Sequence, residues 1–240
     1  MKNFLFLLAF ITITTITYAQ NNVDKNEGSW FTFSNKVIIS NKIYSTVVFQ
    51  QRRINFLKNT QALLIAPSVN YKISKNIAFG LGYMRFTTFP SGSNNLIIKN
   101  ENRIFQDLLL TSATTNIKFT NRFRFEQRKI EKVDNTEIVG YKKVNRLRYR
   151  FEISKPLFQI NNQNFITGKL SNEIRIRLKQ GLTSPDFDQN NFAFLLGISI
   201  SKHAKIWLGY GNYFYKKGEN SYLQNHLLQL KFTQTLDFRK

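Results

Sequence analysis

The stretch NRLRYRFEIS, residues 145–154, places a charged side chain at every second position from Arg146 to Glu152. Leucine, tyrosine, phenylalanine and isoleucine fill the positions between them. Because successive side chains of a β-strand point to opposite faces, this stretch predicts a strand with one apolar face and one charged face. Such a strand suits a closed sheet that meets hydrocarbon on its outside and encloses a polar interior.

Two further segments, 116–130 and 164–178, show the same alternation of apolar and charged side chains. An arginine that faced lipid near the midplane of a bilayer would cost about 2–4 kcal/mol, so the charged faces are expected to point inward. We therefore predict a charge ladder in the lumen of a barrel. Its members are Arg122, Arg124, Glu126, Arg128, Arg146, Arg148, Arg150, Glu152, Lys169, Glu173, Arg175 and Arg177.

Segments of alternating residues recur along the chain, without a sustained helical period. They lie at 29–38, 42–53, 62–73, 76–87, 102–112, 116–130, 143–154, 164–178, 190–201, 204–215 and 222–235. The predicted fold class is all-β, an antiparallel up-and-down transmembrane β-barrel. Single-chain bacterial barrels have an even number of strands, so we expect about 10–12 strands and prefer twelve to the eleven segments seen.

The predicted connections alternate in length. Short turns lie near residues 40–41, 74–75, 113–114 and 201–202, and longer polar loops at 54–61, 88–101, 131–142, 179–189 and 216–221. This alternation is typical of the periplasmic turns and extracellular loops of an outer-membrane barrel. Small residues on the predicted inner faces, such as Gly80, Gly82 and Gly197, are expected to leave room for long arginines from the opposite wall.

The N-terminus resembles a secretory signal. Lys2 precedes an uncharged apolar stretch at residues 4–16, and Ala19 supplies the small residue at which a signal peptidase would cut. We predict a signal peptide at 1–19 and a single barrel domain at 20–240, located in the outer membrane of a Gram-negative bacterium. An N-terminal membrane anchor is the alternative, but it would need a longer apolar span.

Composition narrows the chemistry. The chain has no cysteine, which excludes disulfides, thiolate catalysis and cysteine metal sites. Its formal net charge of +21 would ordinarily suggest a nucleic-acid partner. Many of the basic residues alternate with apolar residues inside strands, and the chain carries a secretion signal, so no nucleic-acid partner is expected.

The order of several short motifs resembles one known family. The motifs are GSW (28–30), QRR (51–53), LGY (81–83), ENRIFQD (101–107), NRFRFEQR (121–128), NRLRYRFE (145–152), Glu173, DQ (188–189), a second LGY (208–210) and His226. This order is similar to that of the domain-of-unknown-function 2490 (DUF2490) family of predicted Gram-negative outer-membrane β-barrels. One departure is Phe105-Gln106-Asp107, where the family has Trp-Gln-Gln. The resemblance implies a membrane barrel and no activity, because the family has no assigned function.

The charge ladder has two interpretations. Nine of its positions are basic and three acidic, so the lumen would attract anions such as phosphorylated solutes, acidic oligosaccharides or lipid phosphates, as a narrow porin-like channel or a binding site. Alternatively, the arginines pair with Glu126, Glu152 and Glu173 and fill a non-conducting structural barrel. A soluble barrel with its faces reversed is a further alternative, which the signal and the loop pattern argue against.

Other motifs are weaker. A membrane-embedded hydrolase could use His226 with Ser221, but nothing marks a catalytic triad. Residues 184–191 place Asp186 and Asp188 as a calcium loop might, yet lack the glycine and glutamate that such a loop needs. We therefore expect a monomer with no catalytic residue, cofactor or metal. Its expected partners are outer-membrane lipid and lipopolysaccharide, the barrel-assembly machinery during biogenesis, and a small anionic solute.

Overall fold

The strands form a single closed sheet. The computed structural model describes residues 22–90, 97–134, 136–159, 165–179 and 184–239, so the predicted signal peptide lies outside the described residues. Within them, eleven strands pair edge to edge in chain order. They are β1 Asn22–Ile38, β2 Ile43–Ile54, β3 Asn59–Lys72, β4 Ile77–Thr88, β5 Lys99–Ala113, β6 Lys118–Asp134, β7 Glu137–Gln159, β8 Phe165–Lys179, β9 Ser184–Ser199, β10 Ala204–Lys216 and β11 Ser221–Asp237. The described ranges contain no helix long and apolar enough to cross a membrane.

The barrel closes through a parallel pair. β1 runs beside β11 in the same direction, with Asn22 opposite Ser221 and Ile38 opposite Asp237, whereas all other neighbouring strands are antiparallel. In an up-and-down sheet with an odd number of strands, the first and last strands must point the same way. The predicted all-β barrel is thus confirmed. The eleven strands of the described residues lie within the predicted range, but not at the preferred twelve, because the even-number rule assumes an antiparallel closing pair.

Apolar and charged side chains occupy opposite faces of the sheet. In β7 the side chain of Arg146 is buried, whereas the next residue, Leu147, is 45% exposed. In β4 Phe79 and Leu81 are exposed and Met84 is buried. The outer surface therefore consists largely of aliphatic and aromatic side chains, and the charged ones are enclosed, as the alternation in residues 145–154 predicts.

The inward glycines serve a different purpose from the one expected. A Cβ atom at Gly82 would collide with the ring of Phe105, and one at Gly197 with the ring of Trp207. These glycines therefore accommodate aromatic rings from the neighbouring strand, and the predicted room for arginines of the opposite wall is not their use here. The sequence pattern identified the small residues but not the side chains that lie over them.

The two ends of the barrel differ less than predicted. We call the end with connections 39–42, 73–76, 114–117 and 200–203 the turn side, and the end with connections 55–58, 89–98 and 217–220 the loop side. Strand pairing continues into most predicted loops: β6 ends at Asp134 and β7 begins at Glu137, within the expected loop 131–142. The residues there extend the β6–β7 hairpin, so the predicted long loop is largely strand.

Candidate anion-binding site

Every side chain of the predicted charge ladder takes part in an ion pair inside the barrel. The twelve residues are Arg122, Arg124, Glu126, Arg128, Arg146, Arg148, Arg150, Glu152, Lys169, Glu173, Arg175 and Arg177. They come from β6, β7 and β8, three strands that lie side by side in the sheet. Their pairing is uneven, because most of the carboxylates that they meet lie toward the loop side.

Glu126 is the centre of the loop-side pairing. Its side chain is fully buried and accepts hydrogen bonds from Arg146 Nε at 2.8 Å and from Arg148 Nη1. Arg146 continues to β9, where its Nη1 donates to Asp188 at 2.9 Å. Charge-assisted hydrogen bonds of this kind are about twice as strong as neutral ones. Here they link β6 to β7 through Glu126 and β7 to β9 through Arg146.

Glu173 is a second centre, nearer the middle of the lumen. It accepts hydrogen bonds from Arg148 Nη2 at 2.6 Å, from Arg175 Nε at 2.7 Å and from Arg122 Nη2 at 2.5 Å. Arg148 thereby bridges Glu126 and Glu173. The two oxygens of a carboxylate together accept about four hydrogen bonds, so one glutamate can be shared by several arginines.

The structure adds three carboxylates and one arginine to the network that the sequence interpretation missed. In β5, Asp107 receives two hydrogen bonds from Arg124, at 2.6 and 2.7 Å. Glu101 is shared by Arg103 and Arg128, at 2.7 and 2.5 Å. Glu101, Arg103 and Asp107 occupy alternate positions within ENRIFQD and therefore share one face of the strand. Their place on the inner face could have been predicted from this alternation.

Asp188 in β9 is the third carboxylate that the sequence interpretation missed, and unlike Glu101 and Asp107 it does not follow the alternation of its strand. It binds Arg146 and Arg177, at 2.9 and 2.7 Å, and is buried. The pairing of β8 with β9 shifts register between Arg175 and Ile176, where Asp188 is passed over. This bulge turns Asp188 toward the interior against the strand's parity. No calcium loop forms at 184–191, because these residues begin β9 and Asp186 binds Lys216 at 2.9 Å.

A cavity of about 440 Å³ lies in the lumen and extends to the turn side. Its lining includes Lys36, Tyr44 and Asn70, each within two residues of the turn-side end of its strand. Arg148 and Arg175 of the network also line it, whereas Glu126 and Arg146 do not. The volume falls within the range of small-molecule sites, about 300–1,000 Å³.

A group of cationic side chains at the cavity, which we call the cationic cluster, consists of Arg122, Arg150, Lys169 and Lys231. These side chains come from β6, β7, β8 and β11. Arg150, Lys169 and Lys231 face Glu152, whereas Arg122 pairs with Glu173 at 2.5 Å. Glu152 accepts from Arg150 Nη2 at 2.9 Å and pairs with Lys169 Nζ at 3.1 Å. Four positive charges thus face two carboxylates, of which Glu173 is also shared by Arg148 and Arg175. Lys231 was not among the residues predicted from sequence.

Two polar donors at the cavity have no partner. Arg122 Nε and Gln229 Nε2 are buried and, within the part of the chain that is described, make no hydrogen bond. Both residues line the cavity. An unsatisfied buried donor costs about 1–3 kcal/mol, and more when it is charged. A ligand that brings acceptor oxygens would relieve this cost.

The histidines lie away from this cavity. His226 is hydrogen-bonded through Nδ1 to the hydroxyl of Tyr210 at 2.7 Å, and Tyr210 belongs to the exposed outer face of β10. His203 is exposed in a turn-side connection. Over the described ranges, no group of three histidine, cysteine or carboxylate side chains is placed to hold a metal ion.

Pairs at the loop-side rim are open to solvent. Lys217 Nζ donates to an oxygen of Asp24 at 2.9 Å, and their side chains are 46% and 61% exposed. This hydrogen bond and the charge of Asp24 raise the pKa of Lys217 above that of an ordinary lysine. Exposed pairs of this type contribute little to stability, so the rim differs from the enclosed network.

Comparison with known proteins supports the resemblance noted in the sequence. A family described as "Protein of unknown function (DUF2490)" matches residues 27–224, which include β2 to β10 and so the strands β5 to β9 that supply the network, but only the start of β11. No curated protein and no solved structure matches the chain. The chain belongs to the DUF2490 family.

Proposed function

We propose that this protein is an outer-membrane β-barrel that binds a small anionic solute in its lumen, at the cationic cluster on the turn side. The observation that carries the proposal is a cavity of about 440 Å³ whose described lining holds ten lysines and arginines, the cationic cluster among them, against three carboxylates, Asp107, Glu152 and Glu173. A confined excess of positive charge requires counterions, water or a ligand.

The membrane location is supported by the two faces of the sheet. The outer face exposes side chains such as Leu81, Phe123 and Leu208, and a closed sheet leaves no strand edge unpaired in hydrocarbon. If these side chains faced water, the surface would be an apolar belt far larger than the few hundred Å² that soluble monomers expose. The charged side chains are enclosed, where a spanning barrel keeps them.

Binding fits the lumen better than free passage. A pore needs a continuous polar path, whereas the loop-side half holds arginines and carboxylates in mutual contact around Glu126 and Asp188. The same contacts favour the second candidate, a non-conducting structural barrel. The two candidates differ at the cationic cluster, which a purely structural network does not require.

The test is anion titration of the purified barrel in detergent, with sulfate or phosphate as the probe and calorimetry as the readout. Lys231→Met should abolish saturable binding. Lys25→Met removes the same charge from the exposed start of β1 and serves as the matched control. Binding that is equal in both variants, or absent from the unmodified protein, would leave the structural barrel as the better account.

Planar-bilayer conductance separates binding from passage. We expect no sustained current through the unmodified protein, because the loop-side network occupies the lumen. A steady anion-selective current would instead identify a narrow channel.

A further inference from the structure

The cavity has an apolar wall as well as a cationic one. Leu64, Ala66, Met84 and Phe105 form a buried apolar cluster against which Val48 packs. These side chains line the same cavity as Arg122 and Lys231. An apolar cluster inside the lumen of a membrane barrel is unexpected, because the interior of such barrels is ordinarily polar.

The two walls lie on different sides of the ring. The apolar cluster comes from β2, β3, β4 and β5, whereas the cationic cluster comes from β6, β7, β8 and β11. β3 and β8 are five strands apart in a ring of eleven, so Leu64 and Lys169 lie across the lumen from each other.

Part of the apolar wall is already covered. The guanidinium of Arg124 lies 3.8 Å from the centre of the Phe105 ring, and Arg124 is in turn paired with Asp107. Phe86, which packs against the apolar cluster, likewise carries the guanidinium groups of Arg52 and Arg103, at 5.1 and 5.0 Å from its ring centre. Val48, Leu64, Ala66 and Met84 line the cavity. They remain available to an apolar group that enters the cavity.

We infer that the ligand is an amphipathic organic anion, with its anionic group on the cationic cluster and a compact apolar body against Val48, Leu64, Ala66 and Met84. This inference rests on the proposed function and names its class of ligand. An inorganic anion would satisfy the charges but leave the apolar wall against water. A neutral apolar molecule would leave the donors of Arg122 and Gln229 without acceptors.

The inference is tested by calorimetric titration of three probes into the purified barrel. Phenyl phosphate has both a ring and an anionic group, inorganic phosphate lacks the ring, and phenol lacks the phosphate. Phenyl phosphate should bind at least about tenfold more tightly than inorganic phosphate, because its ring is removed from water. Phenol should show no saturable binding. Equal affinities for phenyl phosphate and inorganic phosphate would overturn the inference while the proposed function stands. No binding of either phosphate would overturn both.

Two adjacent valines supply a matched pair of variants. Val48→Thr places a hydroxyl on the apolar wall at nearly constant volume, whereas Val47→Thr makes the same change on the outer face, where Val47 is exposed. Val48→Thr should weaken phenyl phosphate several-fold more than it weakens inorganic phosphate, and Val47→Thr should change neither. If both valine variants bind phenyl phosphate as the unmodified protein does, the apolar wall takes no part in binding and the inference fails.

Discussion

The two halves of the lumen use the same residue types in opposite balance. On the loop side, each of the carboxylates Glu101, Glu126 and Asp188 meets two or more arginines. On the turn side, the cationic cluster has Glu152, and its Arg122 competes with Arg148 and Arg175 for Glu173. Arginines and carboxylates that pair with each other hold neighbouring strands together. An excess of positive charge beside a cavity can instead be neutralised by an anionic ligand. An arginine ladder in a sequence can therefore serve two purposes within one barrel.

The largest expected loss of stability follows from a substitution on the loop side. Glu126→Gln removes the negative charge that Arg146 and Arg148 share and leaves their buried guanidinium groups without compensation. Breaking a buried ion pair in this way costs about 3–5 kcal/mol. Urea-induced unfolding should show that loss, whereas Glu27→Gln, at an exposed site in β1, should unfold as the unmodified protein does. A Glu126→Gln protein as stable as that control would show that the network is not structural.

The next prediction concerns the sign of the change in unfolding free energy when a turn-side cation is removed. Lys231→Met removes a cation that faces Arg122, Arg150 and Lys169. Without anions in the buffer, relief of this repulsion should stabilise the barrel by on the order of 1 kcal/mol. Arg146→Met, on the loop side, should destabilise it. Urea midpoints measured in low salt distinguish the two, and a destabilised Lys231→Met protein would contradict the proposed difference between the halves.

Linkage between binding and stability gives a stabilisation whose size depends on the ligand concentration. A ligand at 100 times its dissociation constant stabilises a folded protein by about 2.7 kcal/mol. Phenyl phosphate at that level should raise the urea midpoint of the unmodified barrel and leave that of Lys231→Met unchanged. An equal rise in both proteins would indicate binding elsewhere.

The smallest expected effect lies at the rim. Lys217→Ala breaks an exposed pair with Asp24, and unfolding at neutral pH should not change measurably. Because the pKa of Lys217 is raised, any contribution of this pair is complete below the ordinary lysine value of 10.5 and is lost as the pH rises through the raised pKa. Parallel unfolding of the variant and the unmodified protein at neutral pH and above pH 10.5 checks this. A clear loss of stability at neutral pH would show that the rim supports the barrel.

The sequence was most informative where alternation is strict. The alternation in residues 145–154 predicted the outer and inner faces of β7. The same alternation of apolar outer and polar inner residues is found in other strands of the barrel. Parity also held a signal for Asp107, but its partner Arg124 follows only from the register of β5 with β6, which the sequence does not state. Asp188 could not be assigned, since a bulge turns it inward against the parity of β9.

The strand count and the apolar wall show two other limits. Eleven segments were visible, but the parallel closure of β1 with β11 depends on pairing between the two ends of the chain. Val48, Leu64 and Met84 are ordinary apolar residues of strands that are apolar on both faces. Their place inside the lumen became apparent only once the inner face of each strand was known.

The most direct test of the central claim uses the absence of cysteine from the chain. Thr120→Cys places one thiol on the cavity lining, and Thr115→Cys places one in an exposed turn as the reference. Relative to the reference, an anionic methanethiosulfonate reagent should modify position 120 about tenfold faster than a cationic reagent of similar size, because the cationic cluster concentrates anions in the cavity. Equal rates for the two reagents, or a faster reaction with the cation, would contradict an anion-binding lumen.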